Sequence, residues 1–573
     1  MGVIGSTPVL LASSRPAIAA GCAALLAVAV YVNALQNPFV YDDFRLIVEN
    51  PTILNPWDLR SVIVRDITRP LVNISYALDT MIWGRIPLGY HITNLALHAI
   101  NVMLVFWVAL FAAGDRRRAD VSPTGDSPTV TGFVTAAVFA VHPMMTEAVG
   151  YVTGRSELLF TFFFLLGFLS GRRWMIGGGR RWWIACIASW MAGVLAKETA
   201  AMLPAVLVAY DWFVLDGDRA ERRRRFLHLQ LPMLAVALAA GIGRIAVLEL
   251  IEFPGSPGAD GRYALVQIEV IWRYLALFLA PRGQSIFHAV TLIDSFTSLR
   301  AIVNLAALAA FLSLAWRLRR AHGLVGFGLV WFILLLVPTA VLFTLGRGEA
   351  MVERRTYLPA AGLFLILGYS FAGLWARAGR QRLLAGAAAV VFLASLSFLT
   401  LMRNVVWHDP VTLTQEAARL APGHWMPRVM VGEAFRQSGQ CPDAATEYRA
   451  AIALRPQEEF PYTRLAGCLI AMRDLDGAEG ALQELRAVNP QSQDASMGLG
   501  VFALIRGQLP EARAYLREAI DREPARPRAS LLLAFIDGTL PASEIAGACE
   551  ELRLIAGGTL SLEMCQPGSQ VDR

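Results

Sequence analysis

Eleven apolar runs constrain this chain more than any other feature of it. They lie near 17–35, 89–112, 131–149, 157–171, 182–196, 199–214, 229–250, 300–316, 323–345, 357–376 and 383–402. About 20 apolar residues in a helix cross the roughly 30 Å of bilayer hydrocarbon, so residues 1–404 are predicted to form an all-α, polytopic membrane domain of about eleven passes. Composition excludes a string of soluble domains: 55% of the residues are hydrophobic and 17% charged, where an ordinary soluble chain is about 25% charged. Nor does the net positive charge mark a nucleic-acid-binding surface. Residues 1–400 carry 34 basic and 23 acidic side chains and residues 401–573 carry 17 and 22, so the excess belongs to arginine-rich loops of the membrane part.

Those loops set the direction of the passes. With the N-terminus inside, Arg116–Arg118, Arg172/Arg173 with Arg180/Arg181, Arg222–Arg225, Arg317/Arg319/Arg320 and Arg377/Arg380/Arg382 all fall in cytoplasmic loops, as short basic loops do. The agreement requires that 264–281 not cross, and this stretch is assigned to the outer face as a re-entrant or interfacial helix. The first run has only Arg15 on its flank and no small-x-small cleavage site after it, so it reads as a retained helix rather than a secretory signal. Eleven passes place the C-terminal tail outside the cytoplasm, in a multi-pass protein of the inner (plasma) membrane.

Residues 405–424 read as a linker, and beyond them the chain repeats at a period of 34. Pro456, Pro490 and Pro524 keep that spacing, as do Ala444, Ala478 and Ala512, and Gly432, Ala466 and Gly500; Tyr448, Leu482 and Leu516 follow each Ala by four. Small residues where two helices touch, a large plug one turn later and Pro after the second helix make the tetratricopeptide pattern. Three repeats over 425–526 and capping helices within 527–573 predict a short α-solenoid, whose concave groove would take a protein or peptide. Cys441, Cys468, Cys549 and Cys565 lie in this tail, and their spacing assigns no pairing.

Under this topology, charged and polar groups gather at the outer face, and ionisable residues beside membrane helices invite a functional reading. The first outer loop, 36–88, opens with Asp42-Asp43 and continues to Arg69-Pro70-Leu71. The next helix presents His91, Asn94, His98 and Asn101 on one face. His142-Pro143, Glu147, Arg155, Lys197-Glu198 and the group Arg347, Glu349, Glu353, Arg354, Arg355 fall at the same face, and Lys197 is the single lysine among 51 basic residues. A carboxylate pair opposite cations at a membrane surface suits a sugar carried on a lipid phosphate. A carboxylate takes the proton of an acceptor hydroxyl as the glycosidic bond forms, and a cationic site stabilises the departing phosphate. Asp42 or Asp43 is the expected base. Arg155, Lys197, Arg354 and Arg355 are expected at the phosphate, and Arg69, His91, Asn94, His142, Glu147 and Glu198 around the sugar and acceptor.

In order along the chain, Tyr41-Asp42-Asp43-Phe44, Asn50-Pro51, Arg69-Pro70-Leu71, Gly89-Tyr90-His91 with Asn94 and His98, His142-Pro143 with Thr146-Glu147, Gly154-Arg155, Lys197-Glu198 and Glu353-Arg354-Arg355 with Tyr357-Leu358-Pro359 resemble the transmembrane and TPR repeat-containing (TMTC) protein O-mannosyltransferases and their bacterial relatives. These in turn are similar to protein O-mannosyltransferases of the GT-C superfamily. The resemblance implies a GT-C-type inverting transferase using a polyprenyl-phosphate-linked sugar, mannose above all, and an exported protein acceptor. It maps the family's acidic pair onto Asp42 and Asp43 and its later Arg-Tyr motif, near the lipid phosphate, onto Arg355 and Tyr357. Two departures are that Arg355 is followed by Thr356, and that about three repeats stand where eukaryotic members carry many more. The arginine-rich, lysine-poor composition suggests a bacterial chain, for which undecaprenyl or decaprenyl phosphate would replace dolichol. No cofactor is expected, and no metal, although Asp42-Asp43 with His91 nearby leaves coordination open. Transfer to a cell-envelope glycan or lipid is a second expectation. A scaffold or a transporter is a third, but a transporter would carry charge across the midplane.

Overall fold

A computed structural model describes residues 14–119, 127–252, 260–344, 349–522 and 527–539, and among them every regular element is helical. Arg347, residues 540–573 with Cys549 and Cys565, and the rest of the expected cap lie outside the described residues. The chain divides into two units, Met1–Pro410 and Val411–Arg573. The first contains α1 (Ser14–Tyr31), α2 (Leu59–Arg65), α3 (Pro70–Trp83), α4 (Pro87–Ala119), α5 (Pro128–Val141), α6 (Thr146–Gly150), α7 (Arg155–Met175), α8 (Arg180–Ala196), α9 (Leu203–Phe213), α10 (Arg219–Arg225), α11 (Leu231–Val247), α12 (Gly261–Leu279), α13 (Leu299–Ala321), α14 (Gly323–Thr344), α15 (Tyr357–Arg377) and α16 (Arg382–Val406).

Among the described residues all eleven apolar runs are helical, but fewer than eleven are single helices long and apolar enough to cross on length alone. Among the described residues eight stretches are long and apolar enough to cross a bilayer, and a ninth is broken by 61° between Pro128–Val141 and Pro143–Gly150. The break follows from Pro143, which lacks an N–H and pushes His142 into extended backbone. The remaining two runs are α8, with 17 residues, and α9, with 11. At 1.5 Å per residue they rise about 25 and 16 Å, short of the hydrocarbon. The polar pair Lys197-Glu198 ends α8 and starts the 3-10 turn that leads into α9; with Lys197 beside Glu157 at one end and Tyr210 beside Asp115 at the other, the two run up and back between the ends of the bundle.

Two charged layers mark opposite ends of the bundle. At one, Arg172 near the end of α7 donates Nε to Asp115 of α4 at 2.7 Å, and Tyr210 of α9 donates its hydroxyl to the same carboxylate at 2.7 Å. At the other lie the starts of α4 and α7, the end of α8 and the loop after α1. Between them, α14 and α15 cross so closely that a Cβ at Gly328 would fall on the Gly362 carbonyl oxygen, and one at Gly362 on that of Gly328. Such small-residue contacts let membrane helices gain dispersion energy where no hydrophobic effect drives them together. The spans built on α11, α13 and α16 have only 11, 17 and 11% of their apolar windows buried, so they face lipid. Helix α12 is not among the spans: it carries Arg262, Glu269 and Arg273, buries Leu265, Val266, Val270, Tyr274 and Leu277, and hydrogen-bonds Val352 through Tyr274.

In the second unit residues 410–420 form helix α17 (Pro410–Leu420), so the stretch 405–424 is largely helical and not an open linker. Three helical pairs follow, α18 (Trp425–Gln437) with α19 (Cys441–Leu454), α20 (Glu459–Ala471) with α21 (Leu475–Val488), and α22 (Gln493–Ile505) with α23 (Leu509–Arg522), then α24 (Pro527–Ile536). The period of 34 is a packing period: Ala444, Ala478 and Ala512 and the plugs Tyr448, Leu482 and Leu516 are all buried. A Cβ at Gly432 would meet the Tyr448 ring. Cys441 and Cys468 are free thiols.

Candidate functional site

The loop leaving α1 is fixed before it reaches the acidic pair. Asn37 donates Nδ2 to the Gly150 carbonyl at 2.9 Å, and its own carbonyl lies 3.1 Å from His91 Nε2. Tyr41 then adopts φ +49°, a left-handed conformation that a bulky residue holds only when its surroundings impose it. The turn separates the two carboxylates. Asp43 points inward and is fully buried, one oxygen accepting the Val40 N–H at 3.1 Å, the other the N–H of Thr153 at 2.9 Å and the Thr153 hydroxyl. Burial raises its pKa to about 7 against those three bonds. Asp42 donates its backbone N–H to the Tyr151 hydroxyl at 3.0 Å and leaves its carboxylate 30% exposed, 4.0 Å from Arg45. One carboxylate is therefore an anchor and the other is open.

Opposite this loop, the single 3-10 turn Glu353–Thr356 directs three side chains to three places. Glu353 is buried and accepts from Gln284 Nε2 at 2.9 Å, Ser285 N at 2.7 Å and His288 Nε2 at 2.9 Å, which straps the segment after α12 onto the bundle. Arg354 donates its backbone N–H to Glu147 at 2.9 Å, pairs its guanidinium with the same carboxylate and lies 5.5 Å over the Tyr151 ring. Arg355 donates Nη1 to the Glu349 carbonyl at 2.7 Å and forms no carboxylate pair among the described residues. Burial pushes Glu349 up, with Arg354 and Arg355 opposing.

A second charged group adjoins the first. Lys197 pairs with Glu157 of α7, and burial pushes its pKa down although Glu157 opposes that. Burial would raise Glu198, but Arg69 and Lys197 outweigh it and hold the carboxyl low. Arg69 stands 3.6 Å from Glu198 and is 37% exposed. It also feels Glu157 and Arg354, and Glu198 feels Arg355, so the two groups share one field.

Other expected site residues are held within the protein. Arg155 is fully buried, donating to Asn94 Oδ1 at 2.8 Å and the Tyr90 carbonyl at 2.8 Å and pairing with Asp79. Asn94 donates in turn to the Tyr151 and Val152 carbonyls. Such a saturated guanidinium offers a phosphate no donor, so Arg155 with Asn94 braces the turn under Tyr151 and Thr153. His142 caps the break after α5, accepting from Met144 N through Nδ1 at 3.2 Å with Nε2 3.1 Å from the Phe278 carbonyl. The Tyr357 hydroxyl is inside the bundle, 2.7 Å from His98 Nδ1, which separates it from the phosphate role expected beside Arg355. His91 Nδ1 and Asn37 Oδ1 are buried without a partner. The sequence reading missed Tyr151, Thr153 and Asp79; the first two lie in the turn between two motifs it did use, and their signal is that position alone. No group of three His, Cys, Asp or Glu side chains converges as a metal site among the described residues.

Fold and site define a class: a polytopic helical membrane protein with one charged, loop-lined end and tetratricopeptide repeats. A tetratricopeptide-repeat family profile matches residues 469–534. The chain is 23% identical over 90% of its length to a Drosophila melanogaster protein O-mannosyl-transferase, Tmtc3, and 24% identical over 76% to human TMTC1, covering 65% and 55% of those proteins. It is 33% identical to Drosophila Tmtc2 over 36% of this chain and 23% of that one. The chain is TMTC-like, and it spans about 55 to 65% of the length of the relatives it matches along most of its sequence. Among solved structures, a chain of the APC/C hetero-tetramer Cut9-Hcn1 matches at 13% identity with a TM-score of 0.22, over 84% of this chain and 90% of that one.

Proposed function

We propose that this chain is a membrane glycosyltransferase that moves a hexose, mannose in the first instance, from a polyprenyl-phosphate sugar to a hydroxyl of an exported protein. The observation that carries the reading is the open Asp42 carboxylate, whose charge Arg354 feels, with Arg355 and Arg69 in the same field through Glu349 and Glu198. In the reaction the acceptor oxygen attacks the anomeric carbon while Asp42 takes its proton. The bond from that carbon to the phosphate oxygen breaks, and the electron pair leaves on the phosphate, whose charge Arg355 and Arg69 stabilise. A single displacement inverts the anomeric centre. Asp43, Thr153, Tyr151 and Arg155 position Asp42, and the reading uses no metal. Topology supports the outer face as the place of reaction: the up-and-back pair α8 and α9 leaves the parity of the crossings unchanged, so an N-terminus inside still puts Asp42 and the repeats outside. The relatives' name supports protein as acceptor.

The test is release of polyprenyl phosphate from polyprenyl-phosphate sugars by the purified chain, with exported proteins as acceptors. Asp42→Asn is expected to lower turnover by about 100-fold or more, the usual weight of a general base, without a change in folding. Acceptor-dependent turnover that survives Asp42→Asn would refute the assignment.

A further inference from the structure

The segment 52–68 of the first loop takes no part in the chemistry above, yet it carries an unusual surface. Leu54, Trp57, Leu59, Val64 and Ile67 are exposed, Trp57 at 83%. The surface continues on α3 through Leu78, Met81 and Ile82 and then directly into the span that begins at Pro87. An apolar patch of this extent in water would be a site of association. Here it is continuous with the lipid-facing surface of a membrane helix, which identifies what covers it.

Arginines interrupt the patch. Arg60 and Arg65 lie on α2 with no ion pair or hydrogen bond to any described residue. With Thr52, Asp58, Ser61 and Val64 they line an open cavity of about 520 Å³. The nearby acids are already engaged. Asp58 caps α2 by accepting from Ser61 N at 3.2 Å and Ser61 Oγ at 2.6 Å, and Asp66 accepts from Thr68 N at 3.0 Å. Two guanidiniums thus face an open space beside tryptophan and aliphatic side chains, and outnumber the Asp58 carboxylate that shares the cavity wall and feels Arg60. Aromatic rings at headgroup level and arginines reaching phosphates are what an interfacial segment presents.

We infer that segment 52–68 lies in the bilayer leaflet at the Asp42 end, with Trp57, Leu59 and Ile67 among the upper acyl carbons and Arg60 and Arg65 on the phosphate of a bilayer phospholipid. The inference stands on the membrane-spanning fold and not on the transfer reaction. It gives the first loop a fixed depth, because the segment is held at both ends, by lipid and by the Asp43 anchor.

The full chain in phosphatidylcholine vesicles tests it. The chain holds 14 tryptophans, so the Trp57 signal is read as wild type minus Trp57→Phe. That difference is expected to be quenched by bromine on the acyl chains and shielded from aqueous iodide. Quenching by iodide with no effect of acyl bromine overturns the placement. In vesicles containing phosphatidylglycerol, Arg60→Gln/Arg65→Gln is expected to retain about fivefold less of that lipid than wild type after detergent extraction, as loss of two surface cations predicts. Equal retention by a variant that elutes as wild type on gel filtration overturns the headgroup assignment.

Discussion

Adjacent carboxylates usually repel each other in one environment; Asp42 and Asp43 lessen this by occupying two, although Asp42 still adds to the rise of the Asp43 pKa. The turn at Tyr41 sends Asp43 to three protein donors and leaves Asp42 at the surface, so their substitutions should separate. Asp42→Asn is expected to lower turnover by about 100-fold or more with stability unchanged to within the roughly 0.5 kcal/mol of a surface change. Asp43→Asn places an amide N–H₂ against a backbone N–H and should cost about 1–3 kcal/mol of stability, seen as a lower melting temperature. The two also separate by pH. With its pKa raised from 3.8 to about 7 by burial, folded Asp43 holds a proton that the unfolded chain loses near pH 4. Its contribution is complete below that pH and is lost as pH rises toward 7. Thermal unfolding of wild type should therefore weaken between pH 4 and 7 more than that of Asp43→Asn, and parallel curves for the two would show that Asp43 does not titrate there.

Elements carry the site by what they hold in place. The turn Glu353–Thr356 fastens segment 280–298 through one carboxylate that accepts three donors. Glu353→Gln leaves a donor facing donors, at a cost of about 1–3 kcal/mol. Faster proteolysis within 280–298, before the bundle unfolds, is the expected result, and cleavage at the wild-type rate would show that the strap is held otherwise. The sequence made much of this level legible. Apolar length located the eleven apolar helical runs but not α2 and α3 within the first loop or the arginine-rich α10, and the 34-residue period located the repeats down to the buried alanines and their plugs. It also placed Asp42, Glu147, Lys197, Arg354 and Arg355 at one end of one bundle. Direction of individual side chains was not legible. Nothing in Gly154-Arg155 announces that Asn94, Asp79 and the Tyr90 carbonyl saturate the guanidinium, because two of those partners lie about 60 and 76 residues away. Tyr357 follows an arginine in sequence, but helical geometry turns its hydroxyl toward His98. Length alone undercounts α8 and α9: as single helices they are short, but α8 rises to Lys197 beside Glu157 and α9 returns to Tyr210 beside Asp115, the two traversals that hydropathy reads.

At the scale of the whole molecule, the bundle is closed at the end away from Asp42 by a clamp. Asp115, Arg172 and Tyr210 come from the far ends of α4, α7 and α9, and all three are buried. The near ends of α4 and α7 carry His91, Asn94 and Arg155, so the clamp and the candidate site sit on the same two rods. Removing one partner of a buried pair leaves a charge without compensation, at about 3–5 kcal/mol. Arg172→Met is expected to lower the melting temperature on that scale and to lower turnover with it. Replacing all three, as Asp115→Leu/Arg172→Met/Tyr210→Phe, removes the unpaired charge and the hydroxyl that Asp115 accepts from, and should restore most of the stability, because apolar side chains of similar volume do as well in a buried site. The informative quantity is turnover in the triple variant. Recovered stability with recovered turnover means that the clamp only holds the rods together. Recovered stability with turnover still low would mean that the clamp also sets their register, on which the spacing of Asp42 from Arg354 and Arg355 depends.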